Sequence, residues 1–283
     1  MSGGREPVKA TFWLLEAPDS LARQSRREPD GTGLGAFTAA GKPLVLKQPL
    51  AAFEDQQFAS EAREVSSRNF VAHVRYASNG AVNLHNTHPF EQRGRLFAHN
   101  GVIGGLDRLE RELGDARALV DGDTDSERFF ALITREIERT GELGAGIVSA
   151  ATWVAENLPV LSLNFILITG SQLWALRYPD MHELHVLERD PGGPSGRRHL
   201  EHASARGSIR VRSGDLADRP AVVVATERMD EDAGWRSLQS GELLHVDADL
   251  QVQITRPLAQ PPAHPLSLAD LNPKAAASQG APA

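Results

Sequence analysis

The 283-residue chain contains no cysteine. That absence excludes disulfides, thiolate metal sites and cysteine nucleophiles together. Long apolar runs are missing too: none reaches the roughly 18 residues a membrane span needs, and the opening MSGGREPVKA lacks the hydrophobic centre of a secretion signal. A cytoplasmic location without membrane association is therefore expected. Positive charge is in deficit, with a formal net charge of −7. The basic residues are scattered rather than striped along one face, so nucleic acid is not expected as a partner.

What is present is ordinary globular composition, 41% hydrophobic and 24% charged, enough to bury a full core. No internal repeat and no compositional break mark a linker between Asp125 and Leu161. One domain over residues 1–256 is expected, followed by a Pro- and Ala-rich tail over 257–283 read as disordered. Within the domain, Thr11 to Gln24 is apolar first and then places Asp19 or Ser20 to cap a short helix. Ala36 to Gln48 reads as a hairpin and Asn69 to Ala77 as a strand. Leu96 to Ile103 reads as a strand interrupted by Asn-Gly, the strongest short-range turn signal. Helices are expected from Ser126 to Thr140, behind the capping residues Thr124 and Asp125, and from Gly146 to Asn157. From Leu161 onward the pattern is LSLNFILIT, QLWALRY, ELHVLE, SIRVR, AVVVATE, ELLHVD and LQVQIT. These are strands spaced for antiparallel meanders, with one longer loop near DPGGPSGRRH. Strands before and after a pair of helices point to stacked sheets flanked by helices, an α+β arrangement.

Five short segments concentrate unusual polar residues: DGTGLG from Asp30, HVRYAS from His73, NTHPF from Asn86, HNG from His99 and DTDSE from Asp123. Each has a bland reading alone. DGTGLG lacks the Lys of a phosphate loop and reads as a turn, DTDSE reads as a helix cap, and Arg75 reads as a surface ion pair. His73, His85, His88 and His99 invite a metal. None has the i, i+4 helical spacing of a zinc protease and no cysteine partners them, so neither metal nor cofactor is expected, and most are assigned to the core or to support of a site.

In this order the five segments resemble the class II glutamine amidotransferases, over residues 11 to 256 and most closely the stand-alone, single-domain type. The resemblance implies an N-terminal-nucleophile fold: a four-layer αββα sandwich with two mainly antiparallel sheets. It implies hydrolysis of the γ-amide of glutamine or a related γ-glutamyl compound to glutamate plus ammonia or an amine. Arg75 matches the guanidinium that holds the substrate α-carboxylate, a task suited to two parallel hydrogen bonds. Asp125 matches the acid that receives the α-ammonium. Asn100, through its side-chain amide, and Gly101, through its backbone N–H, match the oxyanion hole. His73, Tyr76, His88, His99 and Asp30 are expected to support these four.

The family's nucleophile is a cysteine at the mature N-terminus, leading a short apolar strand. This chain begins with neither. Three readings stay open: a start displaced past a Cys-led segment, a pseudoenzyme that binds γ-glutamyl ligands without turnover, or Ser2 acting as nucleophile once Met1 is removed. Ser2 is the least favoured, because the Gly3-Gly4 that follows gives it no strand to hold it in place. With no acceptor domain on the chain, amide transfer would need a separate synthase partner. An exposed sheet edge would allow an oligomer.

Overall fold

Alternate residues along a strand point to opposite faces, so a sheet buried on both sides distributes its apolar residues between two cores. That division is visible here in a computed structural model describing residues 1–76, 81–191, 200–203, 210–213 and 219–280. In the strand Arg95–Ile103, Phe97 joins one apolar cluster while Leu96 and Ala98 join another. In the strand Ala221–Ala225, Val222 and Val224 join that second cluster, whereas Ala221 and Val223 join a third. Three clusters separate four layers.

The first cluster lies between a seven-stranded sheet and the helices Asp125–Thr140 and Leu143–Asn157. Phe97 stacks on Phe130 with centroids 4.8 Å apart. Each is fully buried, which stabilises by about 1.5–3 kcal/mol per side chain. Six of its strands run Val252–Thr255, Leu243–Val246, Leu173–Leu176, Pro159–Ile168, Arg95–Ile103, Phe90–Gln92, each antiparallel to the next, and the seventh, His264–Pro265, pairs in parallel with Pro159–Ile168. The second cluster fills the space between this sheet and a second layer of strands. The third packs that second layer against the helix Gln56–Glu64 and the π-helical turn Phe12–Glu16. The result is an αββα sandwich of mainly antiparallel sheets.

The second layer comes in two halves. One is Pro43–Gln48, Gly31–Phe37 and Val71–Arg75; the other is Ala221–Ala225, His185–Arg189 and Arg236–Ser237. Residues Met1 to Gly3 lie between the halves and join them. Ser2 exchanges backbone hydrogen bonds with Val222 at 2.8 and 2.9 Å, while Phe70 donates to the Met1 carbonyl at 2.9 Å and Gly3 donates to Arg68 at 2.7 Å.

Several elements differ from expectation. The DGTGLG segment is not a turn: Gly31–Phe37 is a continuous strand, paired to Pro43–Gln48 on one side and Val71–Arg75 on the other. Its glycines serve packing, since a Cβ on Gly33 would stand 1.9 Å from the His88 carbonyl oxygen. The strand Arg95–Ile103 likewise runs unbroken through Asn100 and Gly101, which are paired to Asn164 and Leu163. Ser20 stands at the start of the four-residue helix Leu21–Gln24, but its side chain makes no capping bond. Helices Gln56–Glu64 and Leu106–Leu113 went unpredicted.

The tail is also corrected. Leu258 packs into the first cluster, the Tyr178 hydroxyl donates to the Gln260 carbonyl at 3.0 Å, and His264–Pro265 pairs in parallel with Pro159 and Val160. A helix, Pro273–Gly280, follows. Composition alone missed this because the anchors are a few isolated side chains and backbone bonds to a strand distant in sequence. The loop expected near DPGGPSGRRH lies, from residue 192 on, outside the described residues.

Candidate active site

A cavity of about 180 Å³ opens between the two sheets, and the pieces singled out in the sequence converge on it. Arg75 and Tyr76 reach it from the end of the strand Val71–Arg75, and Asn100 and Gly101 from the middle of Arg95–Ile103. Asp125 reaches it from the first turn of the helix Asp125–Thr140, and His73, His88 and His99 also line its wall.

Arg75 is not a surface ion pair; it is 4% exposed. Burial pulls its pKa down, while the charges of Asp30 and Asp125 hold it up. Asp30 supports the same residue through the backbone, its N–H donating to the Arg75 carbonyl at 2.8 Å. Asp125 is fixed by its own acceptors. One carboxylate oxygen takes the Ile103 N–H at 2.8 Å and the other takes the Ser126 N–H at 2.9 Å, tying the helix start to the strand that carries Asn100 and Gly101. The DTDSE segment is thus a cap as well as part of the cavity wall: the Thr124 hydroxyl accepts the Glu127 N–H at 3.2 Å. The Glu127 carboxylate in turn accepts the N–H groups of Asp121 and Gly122.

His99 locks the other side. Its Nε2 faces the Ser162 carbonyl at 3.2 Å, and a carbonyl only accepts, so Nε2 carries the proton. Nδ1 then accepts from the Ser126 hydroxyl at 2.9 Å, a neutral tautomer consistent with burial that lowers its pKa. A Cβ on residue 101 would stand 2.0 Å from the Ser162 oxygen and 2.8 Å from His99 Nε2. Glycine is required at this position by space, not by a turn. Asn100 and Gly101 are also the half-buried pair in a strand whose neighbours from Leu96 to His99 are buried, as residues facing a cavity must be.

The rings of His73 and His88 lie 4.2 Å apart, tilted by 32°. Burial lowers both, His73 to about 4 and His88 well below the ordinary range, so both are neutral near pH 7. Neither ring nitrogen of His88 has a hydrogen-bond partner among the described residues. His85 is exposed and stands apart.

At the head of the cavity lies Met1. Its α-amine donates to the Phe70 carbonyl at 2.8 Å, and burial pulls its pKa down to about 5. Ser2 is 1% exposed and does not line the cavity; its hydroxyl accepts the Gly4 N–H at 3.4 Å.

Sequence reading missed Asn164 and Ser162. Asn164 accepts the Tyr178 N–H at 2.9 Å and donates to the carbonyls of His182 and Glu183, while the Ser162 hydroxyl donates to the Asn100 carbonyl at 3.1 Å. The signal was available: both are polar residues inside the apolar run LSLNFILIT. Trp13, Glu28 and Gln279, which also line the cavity, carry no such local mark.

The profile of the class II glutamine amidotransferases matches residues 19–266. An uncharacterised protein of Methanocaldococcus jannaschii is 30% identical over 242 residues, covering 80% of this chain. The chain spans 63% of that relative's length and 44% of a 27%-identical relative from Saccharomyces cerevisiae. Among solved structures, a glutamine aminotransferase class-II domain protein from Silicibacter pomeroyi superposes with a TM-score of 0.54 at 20% identity, covering 80% of this chain and 91% of that one. The allosteric regulatory enzyme of purine biosynthesis superposes with a TM-score of 0.63 at 20% identity, covering 89% of this chain and 46% of that one. No helix among the described residues is long and apolar enough to cross a membrane. Fold, motif order and profile agree, and the chain belongs to the class II glutamine amidotransferases.

Proposed function

We propose that the cavity binds glutamine or a related γ-glutamyl compound by its amino-acid head. Arg75 takes the α-carboxylate, Asp125 the α-ammonium, and the γ-carbonyl oxygen lies toward Asn100 and Gly101. The single observation that carries this reading is the convergence of a buried guanidinium, a pinned carboxylate and the Asn-Gly pair on one cavity. A zwitterion with a side-chain amide presents complementary groups in that order.

Turnover needs a nucleophile, and this chain contains no cysteine. In a chain carrying a cysteine at its mature N-terminus, the thiolate would attack the γ-carbonyl and negative charge would build on the oxygen held by Asn100 and Gly101. Amine or ammonia then leaves, and water releases glutamate. Any transfer of that ammonia would go to an acceptor on a separate protein. For the chain in hand the reading is binding without hydrolysis. Contrary to expectation Ser2 is held in place, by backbone pairing with Val222, and it is set aside as a substitute because it lies off the cavity.

Calorimetry with glutamine tests the reading. Binding is expected, and Arg75→Ala should weaken it more than tenfold, about 1.4 kcal/mol or more; unchanged affinity would remove Arg75 from the site. Ammonia release from glutamine at an ordinary enzymatic rate would contradict the assignment of binding alone.

A further inference from the structure

One wall of the cavity is built differently from the rest. The strands Val71–Arg75, Arg95–Ile103, Pro159–Ile168 and Ala221–Ala225, the start of the helix Asp125–Thr140 and the segment around Trp13 and Gln24 all belong to the sandwich. Ser278 and Gln279 line the same cavity from the end of the C-terminal helix Pro273–Gly280. Among the described residues, that helix contributes no side chain to the three apolar clusters, and Ala275, 2% exposed, is its one buried residue. Asn272 caps it by accepting the Ala275 N–H at 2.8 Å, a bond within the tail. The one hydrogen bond from the helix to a residue outside the tail, among those described, joins His182 Nε2 to Gln279 Oε1 at 2.9 Å. An amide oxygen only accepts, so the ring nitrogen donates. Eight residues are too few to stay helical in water by propensity alone, and a single half-exposed hydrogen bond adds little. Losing this contact would free the helix without parting any strand. His182 itself is firmly placed, because Asn164, the cross-strand partner of Asn100, donates to its carbonyl at 3.2 Å.

We propose that the helix Pro273–Gly280 is a lid on the cavity, latched by Gln279 on His182, and that it detaches as a unit to let ligand in and out. Elements with few buried contacts open locally at little cost, and those at the edge of a binding cavity control its access. That the ligand admitted is a γ-glutamyl compound rests on the reading above. The lid itself does not, and its test needs no ligand.

Because the chain contains no cysteine, one introduced thiol is the only one to react. Ile166→Cys puts it on the half-buried cavity wall, and Ala131→Cys puts it in the first apolar cluster, off the cavity. The rate of labelling by iodoacetamide is compared in three backgrounds: the full chain, a chain ending at Asn272, which keeps the pairing of His264–Pro265, and His182→Ala. His182 does not line the cavity, so its replacement breaks the latch and leaves the cavity walls as they are. Labelling at Ile166→Cys is expected to rise by about tenfold or more without the helix and severalfold in His182→Ala, with Ala131→Cys unchanged in both. An unchanged rate at Ile166→Cys would overturn the lid. Acceleration on truncation but not in His182→Ala would also overturn it, by showing a fixed wall. Equal acceleration at both thiols would overturn it as well, since the whole sandwich would then have loosened. Glutamine binding by calorimetry, weakened or not by Arg75→Ala, decides the head site separately.

Discussion

Glycine positions decide how closely the site can be built. At Gly101 a methyl group would meet the Ser162 carbonyl at 2.0 Å, and at Gly33 it would meet the His88 carbonyl at 1.9 Å. Both obstacles are backbone, which cannot swing away as a side-chain end can. Gly33→Ala is therefore expected to destabilise by about 3 kcal/mol or more, or to prevent folding, as read by urea denaturation. A change below about 1 kcal/mol would mean that the two strands can part at little expense. Gly101→Ala should act on both stability and ligand affinity, because the same displacement moves the neighbouring Asn100.

At the scale of elements, the site depends on where one helix begins. Thr124 caps it, Asp125 ties it to the strand Arg95–Ile103 through Ile103, and Ser126 holds the His99 ring. Three consecutive residues do three jobs. Thr124→Ala should lower stability by about 1 kcal/mol, the usual worth of an N-cap. Ser126→Ala should leave the cap intact yet weaken glutamine binding, since His99 loses the donor that sets its ring. Calorimetry and denaturation on the two variants separate the effects, and equal losses in both properties for both variants would contradict the division. Sequence alone marked this segment as a cap. That the capped helix also delivers the acid to the cavity follows from the docking of its first turn on a strand 22 residues upstream of Asp125.

For the molecule as a whole, the three buried histidines set a pH dependence. His73 is depressed to about 4, and His88 and His99 are depressed as well, all by burial first. The unfolded chain, with ordinary histidine pKa values near 6.5, binds these protons first as pH falls. It therefore gains protons relative to the folded state below about pH 6.5. Stability should be full above that pH and decline as pH falls, for His73 between about 6.5 and 4 by a little over 1 kcal/mol per pH unit once its unfolded form is protonated, with His88 and His99 adding to the slope in the same direction. Urea midpoints at pH 7.5, 6 and 5 would measure the slope, and His88→Phe should make it shallower. The tail adds its own contribution. A chain ending at Arg256 loses the packing of Leu258 and the backbone bonds from Ala263 to Ala155 and from Leu266 to Val160. Its urea midpoint should fall, and an unchanged midpoint would show the tail to be a passenger.

Much of the sandwich was legible because its causes are local. The alternation in AVVVATE, the helical periodicity after Thr124 and the apolar run around Leu161 each appear in the structure as expected, as the strand Ala221–Ala225, the helix Asp125–Thr140 and the strand Pro159–Ile168. The same local reasoning erred at Gly33 and Gly101, where it expected glycine to bend the chain. There glycine permits contact with a carbonyl from another strand or loop, and nothing within a few residues discloses that partner. The candidacy of Arg75, Asp125, Asn100 and Gly101 was carried by the resemblance in motif order. Their convergence on one cavity was not, because it depends on the pairing of Gly31 with Arg75 and of Gly101 with Leu163.

The sequence by itself determined the most strongly patterned elements, the family and the absence of a thiol, since periodicity, motif order and composition are properties of the chain alone. Only the tertiary structure decided that Arg75 is buried, that Ser2 lies off the cavity, that the tail packs against the strand Pro159–Ile168, and that Trp13 and Glu28 line the same cavity as Arg75. The physical reason is the same in each case. Burial, charge balance and an unmet hydrogen bond are relations between residues far apart in sequence, and they have no value until the sheets are stacked.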